Sequence, residues 1–363
     1  MDVVRGLGGR FRIIGLAAGR NITLLQEQAR EFGPRFVFYD GNRSVGHDVV
    51  DMEGAEYLPM EEMATRPEAG VVVVATVGKA GLKPTLAALE AGKTVALANK
   101  EVLVMAGNLV AEAARLGKAE IRPIDSEHSA IWQCLRGEKN TSIRRLILTA
   151  SGGALRDKSF EELRRVTPEQ ALSHPTWQMG RKITVDSATL LNKGLEAIEA
   201  RWLFDVGLDR IEIVMHRESI VHSLVEFTDG SLKAQLGVPD MRVPIQVALC
   251  YPNRMAMPSA PYLDLKRIGE LHFSELKLDR YPCLALALEA GHRGGTYPAV
   301  LSAADEVAVA NFLAGRIGFT RIPEVIDRTV NTHNGIANPD LEDILMADAW
   351  ARERAEQLIG EAA

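Results

Sequence analysis

The first third of the chain alternates short apolar, β-branched runs with stretches of helical spacing, and this alternation limits the fold more than any other feature. Residues 11–17, 36–39, 71–77, 94–98 and 121–124 read as strands, and 22–32, 84–91 and 102–116 as helices. Strands separated by helices of this length are joined by crossovers rather than hairpins. The predicted sheet is therefore parallel and doubly wound, an α/β fold of Rossmann-like type. In such sheets ligands bind beyond the carboxyl ends of the strands. Gly19-Arg20-Asn21, Val77-Gly78-Lys79, Asn99-Lys100-Glu101 and Asp125-Ser126-Glu127 all fall there. The repetition is the signal, since one polar residue after a strand is only a loop.

Size and charge narrow the class. A chain of 363 residues exceeds one ordinary domain, and two or three are expected. A net charge of -6 gives no general reason to expect a nucleic-acid partner. No apolar run approaches the roughly 20 residues that a membrane-spanning helix needs, so no membrane partner is expected. Three cysteines, odd in number and far apart, argue against a disulfide framework and for a reducing, cytoplasmic compartment. Residues 1–20 carry four arginines around a short apolar piece, which raises the question of a targeting peptide. The piece is short for a signal core, and Asp2 and the glycines suit a transit helix poorly, so the end of a helix, a turn and a strand are expected instead.

Residues 125–196 hold the chemistry. Asp125, Glu127 and Glu196 form an acidic trio beside hydroxyl, amide and cationic groups, a mixture suited to a divalent metal next to a phosphate. If these carboxylates converge at about 4 Å, each pair repels by about 1 kcal/mol in water and by several-fold more inside a protein. A cation resolves that repulsion. With no Cys or His cluster alongside, oxygen ligands favour Mg2+ or Mn2+ over Zn2+.

Ser151-Gly152-Gly153 follows the strand predicted over 145–149 and offers backbone amides and a hydroxyl to an anion, although many such turns are only turns. The run from His174 to Lys182 places Trp177 and Met179 beside Gly and Pro, as a flap over a ligand would require; a surface loop with its Trp tucked inward is the other reading. A helix is predicted to start near Asp186, capped by Asp186 or Ser187. Leu190, Leu191, Leu195, Ile198 and Trp202 gather on one face, and Thr189, Asn192, Lys193 and Glu196 on the other. Ser187, Asn192 and Lys193 supply several donors for phosphate oxygens, against the alternative of a salt-bridged surface helix. Arg20 with Asn21 stands where a ribose 2′-phosphate would be met, unless Arg20 is simply a solvated loop cation.

Three further strands, 211–214, 219–227 and 231–236, suggest an antiparallel sheet behind the site, with an edge suited to a dimer. Residues 252–271, with prolines at 258 and 261, read as a linker, and the chain is mostly helical from Asp279 onward. The expected division is 1–124 for an NADPH-binding domain, 125–250 for a catalytic metal and substrate domain, 251–276 for the linker and 277–363 for a C-terminal helical domain.

The runs LANKE (97–101), DSEHSAI (125–131), TASGG (149–153), HPTWQMGRKITVDSATLLNKGLE (174–196) and PDMR (239–242) closely resemble the 1-deoxy-D-xylulose 5-phosphate reductoisomerase family. The resemblance extends over essentially the whole chain. It implies rearrangement of a ketose phosphate on a divalent metal, then NADPH-dependent reduction, within non-mevalonate isoprenoid biosynthesis by a homodimer. By the same resemblance Asp125, Glu127 and Glu196 are the metal ligands, for Mg2+ or Mn2+ with Co2+ as a further candidate. Lys100 and Ser126 contact the substrate's oxygens and His174 lies against the substrate. Ser151, Ser187, Asn192 and Lys193 grip the phosphate, while Trp177 and Met179 close over the sugar. Gly19, Arg20, Asn21, Asn99 and Glu101 serve the cofactor.

Two departures from the family stand out. Members normally begin with a strand and a glycine-rich loop ahead of a segment like DVVR, and here Asp2-Val-Val-Arg5 follows Met1 directly. The expectation is a start partway along that helix, without the first strand and pyrophosphate loop. A non-catalytic phosphosugar- and metal-binding protein is the competing reading, and a ketol-acid reductoisomerase fits the chemistry but not the phosphate grip. The second departure is Leu301-Ser-Ala-Ala-Asp305, where the family usually carries asparagines; it is expected to matter little.

Overall fold

The computed structural model describes residues 1–40, 52, 54–257 and 260–361, so Pro258 of the expected linker and residues 362–363 of the expected helical domain lie outside the described residues. Two compact units form. Met1–Val102, Val110–Ile124 and Met241–Ala260 make the first; Leu103–Leu109, Asp125–Asp240 and Pro261–Ala363 make the second.

The first unit carries two three-stranded parallel sheets. One runs β1 (Gly15–Ala18), β2 (Phe36–Tyr39), β3 (Glu56–Tyr57); the other runs β4 (Val71–Val74), β5 (Thr94–Leu97), β6 (Ile121–Pro123). The crossovers include α1 (Ile22–Phe32), capped by Asn21, whose side chain accepts from the Leu24 amide at 3.1 Å, α2 (Leu82–Glu90) and α3 (Glu101–Gly117). Four consecutive valines make β4 a natural strand. It stops before the predicted end at Val77, which is 75% exposed, because Thr76 and Gly78 turn away to bind Asn99. Leu25, Ala29 and Val37 pack beneath β1 and β2, and Ala96, Ile124 and Ala248 beneath β5.

The second unit contains a five-stranded sheet ordered β10-β9-β7-β8-β11: β7 is Ile143–Ala150, β8 Ile211–Met215, β9 Val221–Phe227, β10 Leu232–Leu236 and β11 Ser274–Glu275. The expectation of an antiparallel sheet is corrected. β7 and β8 run parallel, because the long helical segment between them forces a crossover, while the remaining pairs are antiparallel. Leu146, Leu148 and Val225 of the sheet bury against Ile131 of α4 (Ser126–Cys134) and Ala197, Ala200 and Phe204 further along. Four helices, Pro282–Arg293, Tyr297–Leu313, Arg321–Asn331 and Leu341–Gly360, close around Ala287, Leu301, Ala304, Ala308 and Phe312. Each fully buried Leu or Phe there contributes roughly 1.5–3 kcal/mol. No helix of the described residues is long and apolar enough to cross a membrane.

The single helix predicted to begin near Asp186 is two helices. α5 (Arg181–Thr189) ends and α6 (Leu191–Phe204) begins at Leu190, whose φ is +56°. A left-handed leucine costs about 1–2 kcal/mol. Burial of its side chain beside Ala150, Met215 and Leu284 offsets that cost. Asp186 is consequently not a cap; it lies inside α5, where its carboxylate meets Lys182 Nζ at 2.7 Å.

Candidate active site

The acidic trio converges in the second unit. Asp125 takes the N-cap position of α4 without capping it, Glu127 lies in that helix's first turn, and Glu196 projects from α6. One oxygen from each lies within 4.8 Å of the others. Neighbours bind the same carboxylates: Ser126 Oγ donates to Glu127 at 2.5 Å, Asn192 Nδ2 to Glu196 at 2.5 Å, and Lys193 Nζ to Glu127 at 2.9 Å and to Glu196 at 2.5 Å. Burial works against the charge on Lys193, but Glu127 and Glu196 outweigh it and hold its pKa above the ordinary value. Three carboxylates facing one ammonium leave two negative charges, which one divalent cation cancels. The donor set is all oxygen, so these residues fit Mg2+ or Mn2+.

Behind the trio, His128 Nε2 donates to the Glu196 carbonyl at 2.8 Å and its ring stacks on Phe204. Its Nδ1 faces Glu199, 3.4 Å away, and Asp125, 4.0 Å away. Sequence reasoning singled out neither His128 nor Glu199. Glu199 was hidden because it reads as an ordinary helix-surface acid, yet it is 1% exposed.

A second cluster is organised by the turn after β7. Gly153 has φ +67°, and a β-carbon there would lie 2.5 Å from the Ser187 carbonyl oxygen and 2.7 Å from Ala188 Cα. Only glycine lets the turn seat against the end of α5, which brings Ser151 into the neighbourhood of Ser187. His174 Nδ1 accepts from the amides of Thr176 and Trp177 at 3.1 and 3.0 Å. Its Nε2 therefore carries the proton and donates to Ser151 Oγ at 3.1 Å. The Gly153 amide also donates to that oxygen, at 3.2 Å, so both acceptor positions of Ser151 are used and its own proton is available to an anion. Burial, aided by nearby Arg156, lowers the His174 pKa. The ring centroids of Trp177 and His222 are 6.2 Å apart, and burial lowers the His222 pKa as well. His222 is a lone histidine on a strand, with no sequence signal to mark it. Met179 is half-buried.

The remaining candidates lie in the first unit. Asn99, 2% exposed, donates through Nδ2 to the Gly78 carbonyl at 2.9 Å and to Thr76 Oγ1 at 3.2 Å, tying together the ends of β4 and β5. Lys100 is buried beside it and Glu101 opens the next helix, Glu101–Gly117. Gly19, Arg20 and Asn21 are exposed after β1, beyond its carboxyl end.

Parallel strands with polar residues beyond their carboxyl ends, in one chain with an all-oxygen carboxylate centre beside hydroxyl and ammonium donors, define an α/β enzyme of the metal-assisted class. Comparison with known proteins carries this further. Profiles described as 1-deoxy-D-xylulose 5-phosphate reductoisomerase, its C-terminal domain and the DXP reductoisomerase C-terminal domain match residues 1–107, 121–204 and 236–354. The 1-deoxy-D-xylulose 5-phosphate reductoisomerase of Geobacillus kaustophilus is 52% identical over 99% of this chain and 95% of its own length. That of Pelotomaculum thermopropionicum is 50% identical over 99% and 94%. Among solved structures, the Zymomonas mobilis enzyme in complex with NADPH superposes with a TM-score of 0.89 at 40% identity, covering 98% of this chain and 94% of that one. A DOX-P reductoisomerase in complex with NADPH, fosmidomycin and magnesium gives 0.91 at 40% identity, covering 99% and 94%. The chain belongs to the 1-deoxy-D-xylulose 5-phosphate reductoisomerase family.

Proposed function

We propose that the chain isomerises 1-deoxy-D-xylulose 5-phosphate and reduces the rearranged aldehyde with NADPH to 2-C-methyl-D-erythritol 4-phosphate, as a step of non-mevalonate isoprenoid biosynthesis. The observation that carries this reading is the convergence of Asp125, Glu127 and Glu196 within 4.8 Å in a family whose solved members bind NADPH and magnesium. These three carboxylates would hold Mg2+ or Mn2+, which supplies Lewis-acid polarisation of the sugar's oxygens when bound. Ser126 and Lys193 restrain the carboxylates, and Lys100 and Ser126 are assigned to the substrate's oxygens.

Ser151, Ser187, Asn192 and Lys193 are assigned to the phosphate. Support comes from the Ser151 hydroxyl, whose acceptor positions are used by His174 and Gly153, and from the seating of its turn against Ser187. His174 orients that hydroxyl, while Trp177 and Met179 exclude water above the sugar. Arg20 with Gly19 and Asn21 takes the adenosine end of NADPH, and Asn99 with Glu101 lines its path.

The proposed division of labour is 1–124 for the cofactor, 125–250 for metal and substrate, 251–276 as linker and 277–363 as a helical domain. It follows chemistry rather than compactness, since Met241–Ala260 packs within the first compact unit. A homodimer is proposed through edge strand β10, where Leu232 is 55% and Leu236 37% exposed. A cytoplasmic setting suits the three free cysteines. The deciding experiment follows NADPH oxidation by the purified chain with 1-deoxy-D-xylulose 5-phosphate, with and without Mn2+. Turnover that needs both sugar and metal is expected; a folded chain silent under all conditions overturns the reading.

A further inference from the structure

A buried ion triad lies apart from the carboxylate centre. Lys182 Nζ is 2.7 Å from Asp186 and 2.7 Å from Asp305, and the two carboxylates are 2% and 0% exposed. Lys182 and Asp186 face each other one turn apart on α5. Asp305 belongs to the Tyr297–Leu313 helix in the middle of the helical bundle. The thiol of Cys283 completes the group and is neutral, because burial and both acids push its pKa well above the ordinary value.

The position of this triad matters more than its strength. α5 begins at Arg181, directly after the segment that carries Trp177 and Met179, and Asp186 immediately precedes Ser187. Gly153 packs against Ser187 and Ala188, so the placement of α5 also sets that of the Ser151 turn. Asp305, on another helix, thus connects through Lys182 to the helix that carries Ser187.

We propose that Lys182, Asp186 and Asp305 are positioning residues that pin α5 to the helical bundle and thereby set the geometry of the flap and of the Ser151–Ser187 anion cluster. Each would act through α5 and not by contact with the substrate. The inference rests on the phosphate assignment above, and it separates from that assignment by a readout that needs no turnover.

The test compares the full chain with Asp305→Ala and Asp305→Asn, since asparagine keeps an oxygen beside Lys182, whose charge Asp186 still balances, while alanine keeps none. In hydrogen–deuterium exchange, peptides covering 181–189 should exchange about tenfold faster in Asp305→Ala, with Asp305→Asn close to the parent chain and 191–204 unchanged in both. In kinetics, Asp305→Ala should raise KM for the sugar phosphate about tenfold, with kcat and KM for NADPH altered less than about threefold, and Asp305→Asn should restore KM. Should the parent chain not turn over, inorganic phosphate binding by calorimetry replaces KM, and the exchange result stands unaffected. Should Asp305→Ala not fold, Asp305→Leu fills its volume and takes its place. Unchanged exchange at 181–189 in the folded variant, or an Asp305→Asn chain as disturbed as Asp305→Ala, overturns the proposal.

Discussion

Two groups of acids in the second unit clasp a lysine, and they distribute their exposure in opposite ways. At the candidate metal centre, Lys193 is only 5% exposed and Glu196 1%, while Glu127 and Asp125 keep 18% and 12% of their side-chain surface. In the α5 triad the carboxylates are sealed, and Lys182 carries the exposure at 23%. An incoming cation needs carboxylate oxygens that it can reach, so the first arrangement can take up an ion. The second turns its buried oxygens toward an ammonium already in place. The same two residue types therefore make a functional centre or a structural pin, depending on which partner faces water.

Glu196→Gln should have the largest effect on that contrast. It removes a ligand charge with little change of shape, and kcat should fall about a thousandfold or more. Calorimetry should show weakened Mn2+ binding with the melting temperature nearly kept; full activity would remove Glu196 from the metal assignment. Substituting the two lysines comes next. Lys193→Met and Lys182→Met should each lose about 3–5 kcal/mol in metal-free melts, since each strands buried carboxylates. Mn2+ should restore only Lys193→Met, and restoration of both or neither would erase the distinction between centre and pin.

Gly153→Ala should cost about 2–4 kcal/mol in denaturant unfolding, through the clash with Ser187 and the positive φ. It should also weaken phosphate binding, and an unchanged chain would separate the turn from α5. The smallest effect concerns pH. His174 and His222 have pKa values lowered by burial, so the unfolded chain binds their protons more readily. Their contribution to stability is whole above the unfolded value of about 6.5 and declines as pH falls below it, by at most about 1.4 kcal/mol per unit for each. His174→Asn should flatten that decline in melts taken across the window; an unaltered slope would place the titration elsewhere.

Most elements of the first unit were readable because each is marked locally, as by four valines in β4 or by a cap at Asn21 and a glycine closing α1; the two-residue β3 (Glu56–Tyr57) carries no such run and was missed. The convergence of Asp125, Glu127 and Glu196 was legible for another reason. Three carboxylates carry more negative charge than the one neighbouring lysine cancels, and a divalent cation is the simplest remedy. The break at Leu190 was not readable, because leucine is a strong helix former and only its burial beside Ala150, Met215 and Leu284 makes a left-handed turn tolerable. Asp305 was visible as an oddity, but its partner Lys182 could not be named from spacing, since packing between distant helices leaves no local period. Lys193 was expected to serve the phosphate alone; the structure also places it against Glu127 and Glu196.

The left-handed residue at Leu190 has a consequence for how the site can change over time. It divides what would be one rod into two, with Ser187 on the first and Asn192, Lys193 and Glu196 on the second. A substitution that shifts one rod by a fraction of an ångström is absorbed at the joint instead of being carried to the other. The proposed cation ligand Glu196 rides on one rod, while the proposed anion grip spans the joint, so a shift of α5 moves Ser187 relative to Asn192 and Lys193.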